Sequence, residues 1–356
     1  MQNSIHRERF ALAMRHKEAD KVPSDLWLDS SDPASIPSFA AYLGVKSYQE
    51  ILNLLDVDIY RFKSPVKSKI FYHDGSLATY FLPPPHDGFA SFSNDSAIRP
   101  FLGLDDPKKL DEFVWPTADI YDYDAVPDIM ETQKHRILWA QGGTWSPMFC
   151  KMCDFCGIEK VLMDMALNED FILAMRERIL AFYRENFRRT LEAGKGNIDV
   201  FCFGDDIATQ QRLMFSKDMW NLFYRDPMTE LCGLIHSYGA KVAFHSCGAV
   251  GDLIPEFIEA GVDILFPIQP RAEGMSPERL KRDFGGDIVF YGGIDVQHIL
   301  PFGTEEEVRE NVSDTIDILA KDGGYIVASA HGIMRDVPKN NILAMYDEIK
   351  RHPKPL

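Results

Sequence analysis

The sequence predicts a single (β/α)8 barrel of the α/β class, with an excursion between its early strands. Three observations carry that expectation. From residue 136 onward, short apolar, β-rich runs recur at 137–140, 200–203, 242–244, 264–266, 288–291 and 325–328, with helical periodicity between them. Glycine stands at the junctions, where Gly239, Gly261, Gly285-Gly286 and Gly323-Gly324 each end a helical stretch before the next strand. No GxGxxG turn follows any strand, which weakens the doubly wound, dinucleotide-binding alternative.

In chain order, residues 5–17 have the spacing of an amphipathic helix. Ala19-Asp20-Lys21-Val22-Pro23 breaks it before a strand-like apolar run at 25–28. A helical pattern over 36–55 leads to a strand at 57–62. Residues 64–135 hold a hairpin-like stretch (70–81) and proline-rich connections, and are expected to be an excursion within one domain spanning 1–356. The longest helices are expected at 169–193 and 216–238. Counting the runs near 25 and 57 with the six later ones gives eight strands, and strands that alternate with helices pair in parallel.

Composition narrows the function. The chain of 356 residues is 46% hydrophobic, ample for a large core. Its 54 acidic against 38 basic side chains, a net charge of −16, argue against nucleic acid and anionic membrane surfaces, both of which need a basic footprint. No apolar run approaches the roughly 18 residues of a membrane span, and the charged start Met1–Arg9 does not read as a secretory signal. Cysteines at 150, 153, 156, 202, 232 and 247 do not form a disulfide framework for a chain of this size, so a reduced, cytoplasmic setting is expected.

In a barrel of this kind, chemistry belongs on the loops that follow the strands. Polar or glycine-rich tips do gather there: Gln141-Gly142-Gly143, Gly204-Asp205-Asp206, His245-Ser246-Cys247-Gly248, Gln269, Gly292-Gly293-Ile294-Asp295 and Ser329-Ala330-His331-Gly332. His245-x-Cys247 leaves a strand directly, and period-two alternation puts both side chains on one side of the chain. Imidazole and thiolate together suit zinc, and an open catalytic site needs a third ligand. His331, after the last strand, is the best candidate. The bland alternative for the His-x-Cys pair is a core histidine beside a small buried cysteine.

With these residues in view, the chain resembles the uroporphyrinogen decarboxylase superfamily, and within it the cobalamin-linked methyltransferases. The resemblance covers nearly the whole chain and is strongest from 198 to 349. It is carried by Gly204–Gln210, Phe244–Gly248, Ala260–Pro270, Phe290–Asp295 and Ser329–Ile333, with Arg15–Pro23 similar to the family's opening segment. It implies a (β/α)8 barrel and a zinc ion held by a His-x-Cys pair and a later cysteine. His245 and Cys247 match the pair; the later cysteine falls where this chain has His331. The arginine-rich motif with which true decarboxylases grip carboxylates is absent, since Ser24-Asp25-Leu26-Trp27-Leu28-Asp29 follows Val22-Pro23. The implied activity is methyl transfer between a small methylated substrate and the cobalt of a separate corrinoid (cobalamin) protein; an O-methyl ether is expected as that substrate because a zinc ion held by Cys247 and two imidazoles, His245 and His331, favours an oxygen ligand. The alternative is a decarboxylase acting on a tetrapyrrole or another acid, and a third class is a non-catalytic scaffold with vestigial rim residues. Corrinoid binding within this chain would need an Asp-x-His-x-x-Gly motif, whose nearest approach, His236-Ser237-Tyr238-Gly239, reads as a helix end.

A zinc ion with one thiolate and two imidazoles keeps a net positive charge, which strengthens it as a Lewis acid toward an oxygen ligand. Asp205 and Asp206 supply a general acid, a partner for a substrate hydroxyl or an orienter of a ligating imidazole, or else cap a helix N-terminus. Gln210, Gln269 and Asp295 are candidates for reading polar substrate groups, and Gln210 equally for bonding its own loop. Trp139, Trp145 and Tyr291 are candidate walls for an aromatic substrate. Cys150-x-x-Cys153-x-x-Cys156 resembles part of an iron–sulfur run, yet on a helix it lies roughly on one face, as a small-residue packing stripe would.

Overall fold

The computed structural model describes residues 4–29, 32–67, 99–142 and 146–352. Seven parallel strands form one curled sheet: β1 (Ile59–Lys63), β2 (Ile137–Gln141), β3 (Val200–Gly204), β4 (Lys241–His245), β5 (Ile264–Ile268), β6 (Val289–Ile294) and β7 (Tyr325–Ser329). Each strand pairs with its neighbours in sequence, in the order β1 to β7, with helices in the connections. All seven coincide with expected strands to within a few residues.

The run expected as a strand at 25–28 is not one. It makes isolated parallel bridges, Ser24 to Val327 and Leu28 to Ile333. Between the two bridges the partner chain advances further than the segment does, so no continuous ladder forms, and Pro23 has no N–H to donate. The segment still bonds on both sides. The Asp25 N–H donates to Val327 C=O at 3.2 Å, the Val327 N–H to Pro23 C=O at 2.9 Å, and the Asp58 N–H, just before β1, to Ser24 C=O at 3.0 Å.

Alternation along the strands builds two apolar layers. Ile137 and Trp139, Val200 and Cys202, Ile264 and Phe266, Val289 and Tyr291, and Ile326 and Ala328 face one another in an inner cluster. Their neighbours Leu138, Phe201, Phe203, Val242, Phe244, Leu265, Phe290 and Val327 join the larger cluster beneath the helices. Full burial of such side chains is worth roughly 1.5–3 kcal/mol each, which is why the pattern was readable.

Most helices differ from expectation only at breaks with a visible cause. The stretch 36–55 divides into Ser35–Leu43 and Tyr48–Leu54, interrupted at Gly44. The stretch 216–238 divides into Lys217–Trp220, a π-helical turn Asn221–Arg225, and Asp226–Ser237; Pro227 lacks the N–H a continuous helix would need. The 169–193 helix is continuous over Glu169–Gly194. Of the excursion, the described part holds the 3-10 turns Pro107–Glu112 and Ala118–Ile120 and the helix Val126–Glu131. It is tied to the core by Phe101, stacked on Phe155 at 5.0 Å between ring centroids. The hairpin expected at 70–81 lies outside the described residues. Among the described residues, no helix is long and apolar enough to cross a membrane.

The N-terminal helix Ile5–Ala13 sends Phe10 into the inner cluster and is fastened through Asp58, whose side chain is 0% exposed. That carboxylate meets His6 Nδ1 at 2.7 Å, Arg9 Nη1 at 3.1 Å and Lys21 Nζ at 3.4 Å, and accepts from the Ser24 N–H at 2.9 Å. Burial alone would raise its pKa, but the His6 bond, the Lys21 charge, the Ser24 N–H and the Arg9 charge together hold it below the ordinary carboxylate value. A depressed folded-state pKa stabilises the fold above the unfolded value near pH 4 and loses that contribution as pH falls through the folded value. Asp58→Asn should therefore cost about 3–5 kcal/mol at neutral pH, because Arg9 and Lys21 lose a buried partner. Urea midpoints measured against pH should show the gap between wild type and variant closing below about pH 4; a gap constant down to pH 3 would contradict this assignment.

Candidate metal centre

The site is built where β3 and β4 end side by side, with Gly204 opposite His245. A Cβ at Gly204 would stand 2.3 Å from the His245 carbonyl oxygen and 2.4 Å from its Cβ, so only glycine lets the two tips come this close. Gly248 closes the next turn at φ +90°, where a Cβ would meet the Thr209 carbonyl oxygen at 2.5 Å. His245 continues the inward alternation of Ala243 and is 9% exposed.

Three donor atoms of different chemistry converge. His245 Nε2 lies 3.5 Å from Asp206 Oδ1 and 3.5 Å from Cys247 Sγ, and the donor atoms of all three residues lie within 4.8 Å of one another. Tetrahedral zinc, with bonds of about 2.0–2.3 Å, holds its ligands roughly 3.3–3.8 Å apart. The nitrogen, sulfur and oxygen set fits zinc in both spacing and softness. Among the described residues no other histidine, cysteine and carboxylate group is so gathered. The Cys247 N–H donates to Asp206 Oδ1 at 2.8 Å, which fixes the carboxylate against the loop.

The electrostatics follow from this crowding. Burial, and then the neighbouring Asp206 charge, push the Cys247 thiol well above its usual pKa. Burial would raise Asp206, but the His245 contact and the Cys247 N–H lower it overall. His331 stands outside the compact trio, its ring centroid 6.3 Å from that of His245. Enclosure, and then the nearby His245, lower its pKa below the ordinary imidazole value. The indole of Trp27 packs beside both histidines, 5.0 Å from His331 and 5.7 Å from His245.

The two adjacent aspartates have separate fates. Asp206 joins His245 and Cys247, whereas Asp205 is 0% exposed and turns toward the helix Phe149–Cys156. Its carboxylate accepts from Ser146 Oγ at 2.5 Å and from the N–H groups of Met148, Phe149 and Cys150 at 3.1, 2.9 and 2.7 Å. This is the helix-capping alternative, realised on a helix far away in sequence and not on the segment that follows. Burial still pushes the Asp205 pKa up to about 6 against those bonds.

Other candidates serve the loops. Gln269 Oε1 accepts from Gln210 Nε2 at 2.7 Å and from the Gly248 N–H at 2.9 Å, and its side chain also bonds Cys247. Asp295 pairs with Arg271 at 2.6 Å and accepts from the N–H groups of Gln297 and His298. Trp139 and Tyr291 are fully buried in the inner cluster, one layer below the rim. Trp145 lies outside the described residues. Of the cysteine stripe, Cys153 and Cys156 are buried in the helix Phe149–Cys156, with Cys156 Sγ 3.6 Å from Met175 Sδ. Burial pushes the Cys156 thiol up to about 12, as a packing role requires.

Three residues escaped sequence reasoning: Asp25, Trp27 and Arg61. Arg61 occupies an inward position of β1, and its guanidinium carbon lies 5.1, 4.7, 5.4 and 5.2 Å from the rings of Trp27, Trp139, Phe266 and Tyr291. Nε pairs with Asp25, and Nη2 donates to Tyr291 Oη at 2.8 Å. Alternation through Val57, Ile59 and Arg61 was the available signal, since it puts a charge on the apolar face of an expected strand.

The family model for uroporphyrinogen decarboxylase (URO-D) matches residues 140–352. No curated protein matches in sequence. Among solved structures, a methyltransferase from Methanosarcina mazei is similar in fold, with a TM-score of 0.64 at 13% identity over 98% of this chain and 99% of that one. The xylanase 10B of Thermotoga maritima gives a TM-score of 0.43 at 11% identity, over 86% of this chain and 98% of that one.

The capping geometry of Asp205 yields a test. Asp205→Ala leaves four donors facing no acceptor and should cost about 2–4 kcal/mol of stability in urea unfolding. Asp205→Asn keeps one acceptor oxygen and should cost about half as much. Equal stability of wild type and Asp205→Ala would contradict the capping role.

Proposed function

The chain belongs to the uroporphyrinogen decarboxylase family, and from that premise we propose that it is a zinc-dependent methyltransferase. It moves a methyl group between a small methylated substrate, such as an O-methyl ether, and the cobalt of a separate corrinoid protein that docks over the rim. The observation that carries this reading is the convergence of Asp206, His245 and Cys247 at the ends of β3 and β4. The fold likeness to the Methanosarcina mazei methyltransferase, which spans nearly all of both chains, supports the same branch of the family. In this reading residues 23–28 act as the eighth stave closing the sheet into a barrel, supported by their bonds to Val327 and Asp58.

Asp206, His245 and Cys247 would hold the ion, and His331, its ring edge-on to that of His245, is the further donor proposed from its strand-tip position. Bound zinc supplies Lewis acidity toward the heteroatom that exchanges the methyl group. The protein's own residues set the frame for that chemistry. Gln269 and Gln210 hold the Cys247 loop, the Cys247 N–H aims Asp206 at His245, and Trp27 shields one side of the site from water. With Asp206 as a ligand beside Cys247, two negative charges offset the ion. That leaves the centre less positive than one thiolate with two imidazoles, so its acidity rests more on exclusion of water.

Metal analysis and a transfer assay test this together. The purified chain should hold about one zinc ion, and His245→Ala or Cys247→Ala should abolish it. His331→Ala should weaken zinc binding by about 10–100-fold. A methoxylated aromatic should then methylate Co(I) cobalamin at a rate that falls with zinc occupancy. A metal-free protein releasing carbon dioxide from uroporphyrinogen would establish the decarboxylase alternative instead, and full zinc occupancy in His331→Ala would remove that residue from the ligand set.

A further inference from the structure

The inner face of β1 carries a charge that the metal centre does not use. Arg61 keeps 19% of its side chain exposed, although Asp25, its ion-pair partner, is 0% exposed. Two of its nitrogens are engaged, Nε with Asp25 and Nη2 with Tyr291, whose hydroxyl also donates to Asp25 Oδ2 at 2.9 Å. Among the described residues Nη1 has no hydrogen-bond partner. Asp25 is engaged through one oxygen only: both of these bonds fall on Oδ2, Oδ1 has no hydrogen-bond partner among the described residues, and Tyr346 donates to the Asp25 backbone carbonyl. The guanidinium is thus held from below and keeps one donor edge open.

That open edge lies one ring away from the metal centre. The Phe266 centroid is 5.1 Å from the His245 ring and 5.4 Å from the Arg61 guanidinium carbon. Trp27 likewise reaches both, 5.7 Å from the His245 ring and 5.1 Å from Arg61. Alternation places Lys63 on the same inner side of β1, nearer the rim. A cationic ligand would meet two positive charges along this wall. An anion would meet a planar fork suited to a carboxylate.

We propose that Arg61 anchors the carboxylate of the substrate, so that the methyl donor is a flat aromatic acid lying against Trp27, the partly exposed ring of this wall. Methylamines and methanol are thereby disfavoured as donors. The inference rests on the methyl-transfer reading for the word donor, but its test is a binding measurement that does not depend on turnover.

Quenching of tryptophan fluorescence and titration calorimetry on the full chain would use benzoate, 3- and 4-methoxybenzoate, and methyl 4-methoxybenzoate as the uncharged counterpart. The acids should bind, and the ester should bind about tenfold more weakly or worse, the loss expected for a charge-assisted hydrogen bond. Asp25→Asn, which removes the competing carboxylate and keeps the arginine, should tighten binding of the acids; a purely structural ion pair predicts no gain. Arg61→Met alone strands Asp25 in the interior, so the double variant Asp25→Asn/Arg61→Met serves as the foldable control and should bind acid and ester equally. Equal binding of acid and ester by wild type, no binding of any acid, or unchanged affinity in Asp25→Asn would each overturn the proposal. Acids that bind but are never demethylated would leave it standing and count against methyl transfer alone.

Discussion

Parallel pairing of consecutive strands is the constraint on which everything else in this molecule depends. It brings every C-terminal strand end to one rim, so that residues far apart in sequence share a small volume. Within that rim, the absence of a side chain at Gly204 sets how closely β3 and β4 approach. Asp206 and His245 meet because the backbone between them carries no Cβ to hold them apart.

The same constraint divides the buried carboxylates by level. Asp58 sits at the entry end of β1 and fastens the N-terminal helix. Asp25 sits beside the inner face of the sheet, against Arg61 and Tyr291. Asp205 and Asp206 sit at the exit end, one capping a helix and the other facing a histidine and a thiol. Asp58 and Asp205 are fully buried and each is held by several donors, because an unpartnered buried carboxylate would cost several kcal/mol.

Much of this was legible in the residues. Strands from 137 to 328 announced themselves as apolar runs, because burial on both faces demands that composition, and glycines ending the preceding helices marked where four of them begin. His245 and Cys247 were legible because two-residue spacing on a strand has a definite geometric meaning. What was hidden depended on distances between elements. Asp205 and Asp206 look equivalent in sequence, and only the position of the helix Phe149–Cys156 separates a cap from a candidate ligand. His331 occupies the right kind of position, but the turn after β7 sets its ring apart from the trio. Arg61 was hidden because a charged residue in a strand reads as exposed, unless its partners are known, and here they come from the segment at 25 and from β6.

The most direct measurement is X-ray absorption at the zinc edge of the metal-loaded protein. One sulfur neighbour at about 2.3 Å, with the remaining neighbours nitrogen or oxygen at roughly 2.0–2.2 Å, is the expected shell. Loss of the sulfur contribution in Cys247→Ser should accompany it. A zinc ion with no sulfur neighbour, or with two, would contradict a centre built from Asp206, His245 and Cys247.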